Sequence, residues 1–229
     1  MLAIIPARGG SKRIPRKNIK PFLDKPIIAY SIEAALKSTL FETVMVSTDD
    51  LEIAEIAKQY GAEVPFLRSE SNANDFATTV DVLLEVLAKY KNYYKVFEYA
   101  CCIYPTAPFV TASLLSNAFD LMKNQNFDTV FPVLPFSFPI QRAVKLDNKK
   151  MSMFHPEYLN TRSQDLEKAY HDCGQFYWFK PNLITKQKEL WTDNTGVVVL
   201  PELEAHDIDE PNDWEIAEFK YKMRLNAKT

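Results

Sequence analysis

The segment Leu2-Ala3-Ile4-Ile5-Pro6-Ala7-Arg8-Gly9-Gly10-Ser11-Lys12-Arg13-Ile14-Pro15-Arg16-Lys17-Asn18 decides how the chain reads. Leu2 to Ile5 is a short apolar run, the mark of a strand buried on both faces. It opens onto a loop with two adjacent glycines. From Ala7 to Lys20 there are six cations (Arg8, Lys12, Arg13, Arg16, Lys17, Lys20) and no acid, in a chain whose net charge is −3. Glycines let a backbone approach a ligand closely and aim its N–H groups at phosphate oxygens. Lys and Arg neutralise such oxygens, one as a point charge and the other as a fork. A loop at the carboxyl end of a strand is where open α/β sheets bind ligands. A polyphosphate site is therefore expected, rather than a merely solvated basic loop. Neither G-x-x-x-x-G-K-[ST] nor G-x-G-x-x-G fits, because no glycine lies five residues before Gly10 and the next one after it is Gly61.

The I-P-A-R-x-G-S-K-R-x-x-x-K-N pattern resembles the opening of the sugar-acid cytidylyltransferases, which make CMP-sialic acid, CMP-Kdo and their relatives. The resemblance implies that this loop holds the triphosphate of CTP through Ala7, Arg8, Gly9, Gly10, Ser11, Lys12, Lys17 and Asn18. Arg8, Lys12 and Lys17 would then stabilise the departing pyrophosphate.

Length and composition bound the rest. The 229 residues suit one α/β domain, 1–229, and 47% hydrophobic content can fill a sizeable core. No run approaches a membrane span, and the start lacks a signal pattern, so no membrane association is expected. Cys101 and Cys102 are adjacent in an apolar run and Cys173 lies far away, which favours a reducing, cytoplasmic setting. The acidic balance argues against nucleic acid as a partner.

Further along, Thr43–Ser47 reads as a second strand, running into Thr48-Asp49-Asp50, which can cap a helix from Leu51 to Tyr60 closed by Gly61. Arg68 precedes a polar loop, and Thr78 and Thr79 open an amphipathic helix. The resemblance places these three residues around cytosine. Tyr99–Tyr104 is a central strand ending in Tyr104-Pro105-Thr106-Ala107-Pro108, and Thr111–Asn124 is a helix followed by strand Thr129–Val133. Residues 134–170 change texture, with prolines among Phe136, Phe138, Met151, Met153 and Phe154; exposed apolar groups of this kind suggest an interface. In the resembled family the equivalent insertion reaches across a dimer, so 134–170 is expected to be an inserted dimerisation lobe of a homodimer.

The stretch Thr161 to Trp178 is similar to the R-Q-D…R-x-N-G-A-I-Y segment of CMP-sialate synthetases, with changes. Its form, R-S-Q-D-L-x-x-A-Y-H-D-x-G-Q-F-Y-W, looks like the branch that uses pseudaminic acid. The resemblance implies a sugar-facing set of Tyr104, Arg162, His171, Gln175 and Tyr177, in which Tyr104, His171 and Gln175 depart from the sialic-acid pattern. Asp207 and Asp209 are two apart, so an extended strand would point both to one side, as a Mg²⁺ site beside a triphosphate requires. The resembled D-I-D-x-x-x-D-W ending agrees, with Asp209 among the catalytic residues.

The fold expected is a three-layer α/β/α sandwich with a mostly parallel, Rossmann-like sheet. The implied reaction is attack by the anomeric hydroxyl of a nine-carbon sugar acid on the α-phosphorus of CTP. Two rivals stay open, a metal-dependent glycosyltransferase and a non-catalytic nucleotide-binding subunit.

Overall fold

The computed structural model describes residues 1–93 and 95–226, so the final residues of the 1–229 domain lie outside it. Seven strands make the central sheet: β1 (Leu2–Pro6), β2 (Thr43–Ser47), β3 (Ala100–Ile103), β4 (Thr129–Pro135), β5 (Tyr170–Asp172), β6 (Phe176–Phe179) and β7 (Thr195–Val199). Their order is β7-β4-β6-β3-β1-β2, with β5 also paired to β4. The pairs β1–β2, β1–β3 and β4–β7 are parallel, whereas β6 is antiparallel to β3 and β4. The sheet is thus mostly parallel, as expected.

Strand alternation divides the core into layers. Ala3 and Ile5 of β1 face one side, with α1 (Ile27–Ser38), α2 (Leu51–Gln59) and α4 (Ala112–Asn124) packed there through Ile28, Ile32, Ile53, Ala57, Leu115 and Met122. Leu2 and Ile4 face the other, meeting Leu83, Val86 and Tyr90 of α3 (Thr79–Asn92) and Ile184 of α5 (Pro181–Gln187). The last helix, α6 (Pro211–Asn226), brings Trp214 and Ala217 onto Ile14, Phe22 and Tyr30. That contact clamps the far side of the cation-rich loop.

Helix starts follow side-chain chemistry. Thr78 closes a capping box with Asp81, and Thr111 accepts from the Leu114 N–H. The proposed cap of α2 divides its labour. Asp50 accepts from the Ile53 N–H at 3.0 Å, whereas Asp49 accepts from the N–H of Gly9 at 3.0 Å. Asp50 also takes a forked pair of contacts from Arg16, whose φ of 55° turns the loop into a short 3-10 segment at Lys17–Ile19. A Cβ at Gly9 would lie 2.7 Å from Asp50 Oδ2, so any larger residue there would have to push the Asp50 side chain aside.

Between β5 and β6 the register slips. Trp178 faces Val130 and Asp172 faces Val133, so six residues on one side span three on the other. The slack is Cys173-Gly174-Gln175, with Gly174 at φ +61°. An odd slip exchanges the two faces. Asp172 therefore shares a face with Val133 and Tyr177 instead of with Trp178.

Within 134–170, Val144–Asp147 pairs with Lys150–Met153 as an exposed hairpin, and Leu146 is 74% and Phe138 83% exposed.

Loss of the double contact at Asp50 is testable. Asp50→Ala should lower stability by about 1–2 kcal/mol in urea unfolding at neutral pH, the scale of a lost N-cap. Hydrogen bonding from Arg16 holds the Asp50 carboxyl below its ordinary value. Its charged form therefore stabilises the fold above the unfolded pKa of about 4 and ceases to do so as pH falls through the lower folded value. The stability gap between wild type and Asp50→Asn should be flat above about pH 5 and shrink in acid; a gap that widens in acid rejects this account.

Candidate active site

Beyond the carboxyl ends of β1 and β3 lies a cavity of about 390 Å³. Of the residues expected to bind nucleotide or metal, Arg8, Ser11, Lys12, Lys17, Asn18, Arg68, Thr78, Thr79 and Asp209 line it, as does Tyr104. They come from four separate stretches of chain, so the cavity is a product of folding and not of one motif.

The loop is held open by its own hydrogen bonds. Buried Asn18 donates to the Arg8 carbonyl at 2.8 Å, tying the end of the loop to its start. The Lys17 ammonium donates to the Ile208 carbonyl at 2.7 Å and reaches Asp209 Oδ1 at 3.4 Å, while Arg13 meets the same oxygen at 3.0 Å. Arg8 and Lys12 both pair with Asp75, Arg8 at 2.7 Å. Since the Gly9 N–H goes to Asp49, that amide is committed to the fold. Gly10 is exposed, with open space where a Cβ would stand.

The floor is built by Arg68, Thr79 and Tyr104. Arg68 is 8% exposed and its guanidinium donates to the carbonyl and hydroxyl of Ser47 at the end of β2. Burial lowers its pKa, yet an arginine keeps its charge. Thr79 Oγ1 lies 3.1 Å from the Tyr104 hydroxyl, whose pKa burial pushes up to about 12. Thr78 is turned toward its own cap, with its hydroxyl on Asp81. Tyr104, expected on the sugar side, thus touches the residue expected beside cytosine.

A second cavity, of about 530 Å³, is lined by His171, Asp172, His206 and Asp207 with Phe136 and Phe138. Tyr177, expected to face the sugar, lines neither cavity; it meets Tyr104 of the first edge-on, with centroids 5.5 Å apart. Burial pushes the Tyr177 phenol far up, and it donates to Asp172 Oδ2, while Asp172 Oδ1 accepts from the Gly174 N–H at 2.9 Å. The register slip makes this bond possible by placing both side chains on one face. His171 stacks obliquely on Phe136 at 4.9 Å. Gln175 is 1% exposed, donates to the carbonyls of Cys173 and His206, and lines neither cavity. Arg162 lies on the hairpin-bearing segment, paired with Asp165 at 2.7 Å, and lines neither cavity of this chain.

Asp207 and Asp209 do not lie on a strand, which corrects the expectation. They flank fully buried Ile208 in a segment outside any strand, and instead of sharing one side Asp207 opens on the second cavity while Asp209 opens on the first. The surrounding protein and the charge of Asp209 push the Asp207 carboxyl up. A carboxylate suits a hard divalent cation, and the two are offered separately, one to each cavity. Mg²⁺ typically takes one or two carboxylates and completes its shell with phosphate and water oxygens. Among the described residues no group of three His, Cys, Asp or Glu is placed to hold a metal, so the fit is to that shared mode and not to an all-protein cage.

Three acids that the motif reading left unassigned take part here: Asp49, Asp75 and Asp172. Their partners are 40, 67 and 5 residues away. Asp49 lies in the Thr48-Asp49-Asp50 run read as a helix cap, and Asp172 lies in the Thr161–Trp178 stretch, between His171 and Cys173.

Residues 2–195 match the family described as cytidylyltransferase. A pseudaminic acid cytidylyltransferase of Campylobacter jejuni is 41% identical over 223 residues, covering 97% of this chain and 96% of its own length. A CMP-N,N'-diacetyllegionaminic acid synthase of Legionella pneumophila is 34% identical, covering 99% and 98%. Among solved structures, a CMP:2-keto-3-deoxy-manno-octonic acid synthetase complexed with CTP superposes with a TM-score of 0.70 at 16% identity, over 97% of this chain and 98% of its own, a likeness of fold. The fold, the cation-lined cavity at its strand ends and these matches agree: the chain belongs to the cytidylyltransferase family.

Proposed function

We propose that this cytidylyltransferase joins CTP to pseudaminic acid, yielding CMP-pseudaminic acid and pyrophosphate. One observation carries the reading: a single cavity gathers the cations of the first loop with Arg68 and Thr79. The 41% identical relative named for pseudaminic acid supports the choice of sugar. Pseudaminic acid has a second acylamino group and a terminal methyl where sialic acid has hydroxyls. Of the changes from the sialic-acid pattern, those at Tyr104 and His171, which line the cavities, suit such a ligand, whereas Gln175 is turned into the core. Legionaminic acid carries the same substituents in another stereochemistry, and the 34% identical relative makes it the second reading.

In this reading Arg8, Lys12 and Lys17 take the phosphate oxygens of CTP and spread the charge that develops on departing pyrophosphate. Positioning and charge neutralisation are the main demands of such chemistry. Asn18 fixes the loop's span through the Arg8 carbonyl, and the Ile208 carbonyl fixes Lys17. Arg68 and Thr79 present donors to the pyrimidine. The anomeric hydroxyl attacks the α-phosphorus, that new O–P bond replaces the bond to the β-phosphate oxygen, and the hydroxyl proton passes to solvent. Asp209 and Asp207 would hold Mg²⁺, which supplies charge neutralisation and a lowered hydroxyl pKa when bound.

The exposed apolar residues of 134–170, with Arg162 turned out on the same segment, support a homodimer in which this lobe reaches toward a second copy. Three buried, unbridged cysteines support a reducing, cytoplasmic setting, and no helix among the described residues is long and apolar enough to cross a membrane.

Asp209→Ala should lower kcat on the order of a thousandfold, and Asp207→Ala less, with unchanged circular dichroism. If both variants turn over near the wild-type rate in Mg²⁺, the metal assignment fails.

CTP should be preferred strongly over UTP, whose O4 accepts where the cytosine amino group donates. Equal pyrophosphate release from both nucleotides would remove Arg68 and Thr79 from the base site.

With CTP and Mg²⁺, pseudaminic acid should be turned over at least about a hundredfold better than N-acetylneuraminic acid, read as kcat/KM from pyrophosphate release. Efficient use of N-acetylneuraminic acid alone would return the chain to the sialic-acid branch.

A further inference from the structure

Asp75, like Asp209 with Arg13 and Lys17, engages two of the cavity's cations at once. Its Oδ1 meets Arg8 Nη1 at 2.7 Å and its Oδ2 contacts the Lys12 ammonium. Arg8 and Lys12 line the cavity, and so do Ala77 and Thr78, just beyond Asp75. The carboxylate is thus placed at the mouth, on the groups assigned to the triphosphate.

The segment that carries it is anchored at both ends and loose between. Ser69 and Asn72 bind Glu85 of α3 at one end, and the Thr78–Asp81 capping box holds the other. Between them the short helix Glu70–Ala73 buries no residue, and Phe76 is 93% exposed. The turn itself is made by Asn74, whose side chain accepts from the N–H groups of Phe76 and Ala77. Segments with so few buried contacts open at little cost. What ties this tip to the rest of the fold is the ion pairing of Asp75 with the first loop.

We propose that Asp75 is an internal counter-ion for the phosphate loop, and that a polyphosphate takes Arg8 and Lys12 only by displacing it and swinging residues 74–77 away. The proposal rests on the polyphosphate role assigned to this loop under the proposed function. Arg8 and Lys12 cannot give the same N–H groups to Asp75 and to phosphate oxygens. A polyphosphate carries several charges across the whole loop, whereas Asp75 offers one, so the ligand wins when present. When pyrophosphate leaves, Asp75 returns to the same two cations and competes against rebinding. The residue therefore weakens the hold on the product as well as on the substrate. A purely supporting role for Asp75, orienting Arg8 toward phosphate, predicts the opposite sign.

The test uses inorganic pyrophosphate as the probe, with calorimetry on the full chain. Asp75→Asn should bind pyrophosphate about fivefold tighter than wild type, the scale of one solvent-exposed ion pair, and the difference should fade at high salt. KM for CTP should fall and product inhibition by pyrophosphate should strengthen. A Phe76→Trp reporter should change fluorescence on pyrophosphate addition, and much less when combined with Asp75→Asn, whose tip is already released. Wild type that binds pyrophosphate while Asp75→Asn binds equally or more weakly overturns the counter-ion role alone. A wild-type chain that binds neither pyrophosphate nor CTP overturns the phosphate-loop reading itself, and the counter-ion role with it.

Discussion

Six cations between Arg8 and Lys20 with no acid among them are a constraint that the chain must answer from elsewhere. Two like charges 4 Å apart near a protein surface repel by roughly 4 kcal/mol, so such a loop does not keep a fixed shape unaided. The fold supplies the counter-charges from three directions. Asp50 and Glu52 at the start of α2 take Arg16, Asp75 takes Arg8 and Lys12, and Asp209 takes Arg13 and Lys17. Lys20 lies over the Trp214 ring at 4.4 Å, joining α6 to the same loop. The elements that make the cavity walls are thus the ones that bring acid to the loop. Neutralising the cations and enclosing the nucleotide space are one structural act.

What was legible in the sequence follows the range of the interaction. Caps and strands are set by neighbours within a few residues, and Thr78, Thr111, Thr43–Ser47 and the turn at Gly61 were readable for that reason. The cation-rich loop was readable because composition alone marks it. The pairings of Asp75 with Arg8 and of Asp49 with Gly9 span 67 and 40 residues, and no local spacing announces them. Asp207 and Asp209 show the same limit in another form. Their alternation about Ile208 was legible, because period-two burial needs only a local apolar anchor. That the segment has no strand partner was not, because pairing depends on where the sheet ends.

The two halves of the site also differ in how they are made. The first cavity stands on parallel strands whose register is enforced by buried residues on both faces, and most of the side chains expected beside nucleotide line it. The second cavity is built from the reversed strand β5, from the end of β4 and the segment after it, and from residues 202–207. Local spacing is a poor guide there, since Gln175 turns into the core and Arg162 stays out on the exposed segment. A motif read along the chain treats all of its positions as facing one ligand. The break at residues 173–175 shows why that assumption fails in this stretch.

The same break limits how the chain can change length. A change of length at residues 173–175 would have to be taken up within that joint for Asp172, held opposite Val133, to keep its place beside Tyr177. Side chains cannot simply be added at 174 either, since a Cβ there would press on the Asp207 carboxylate at 2.9 Å.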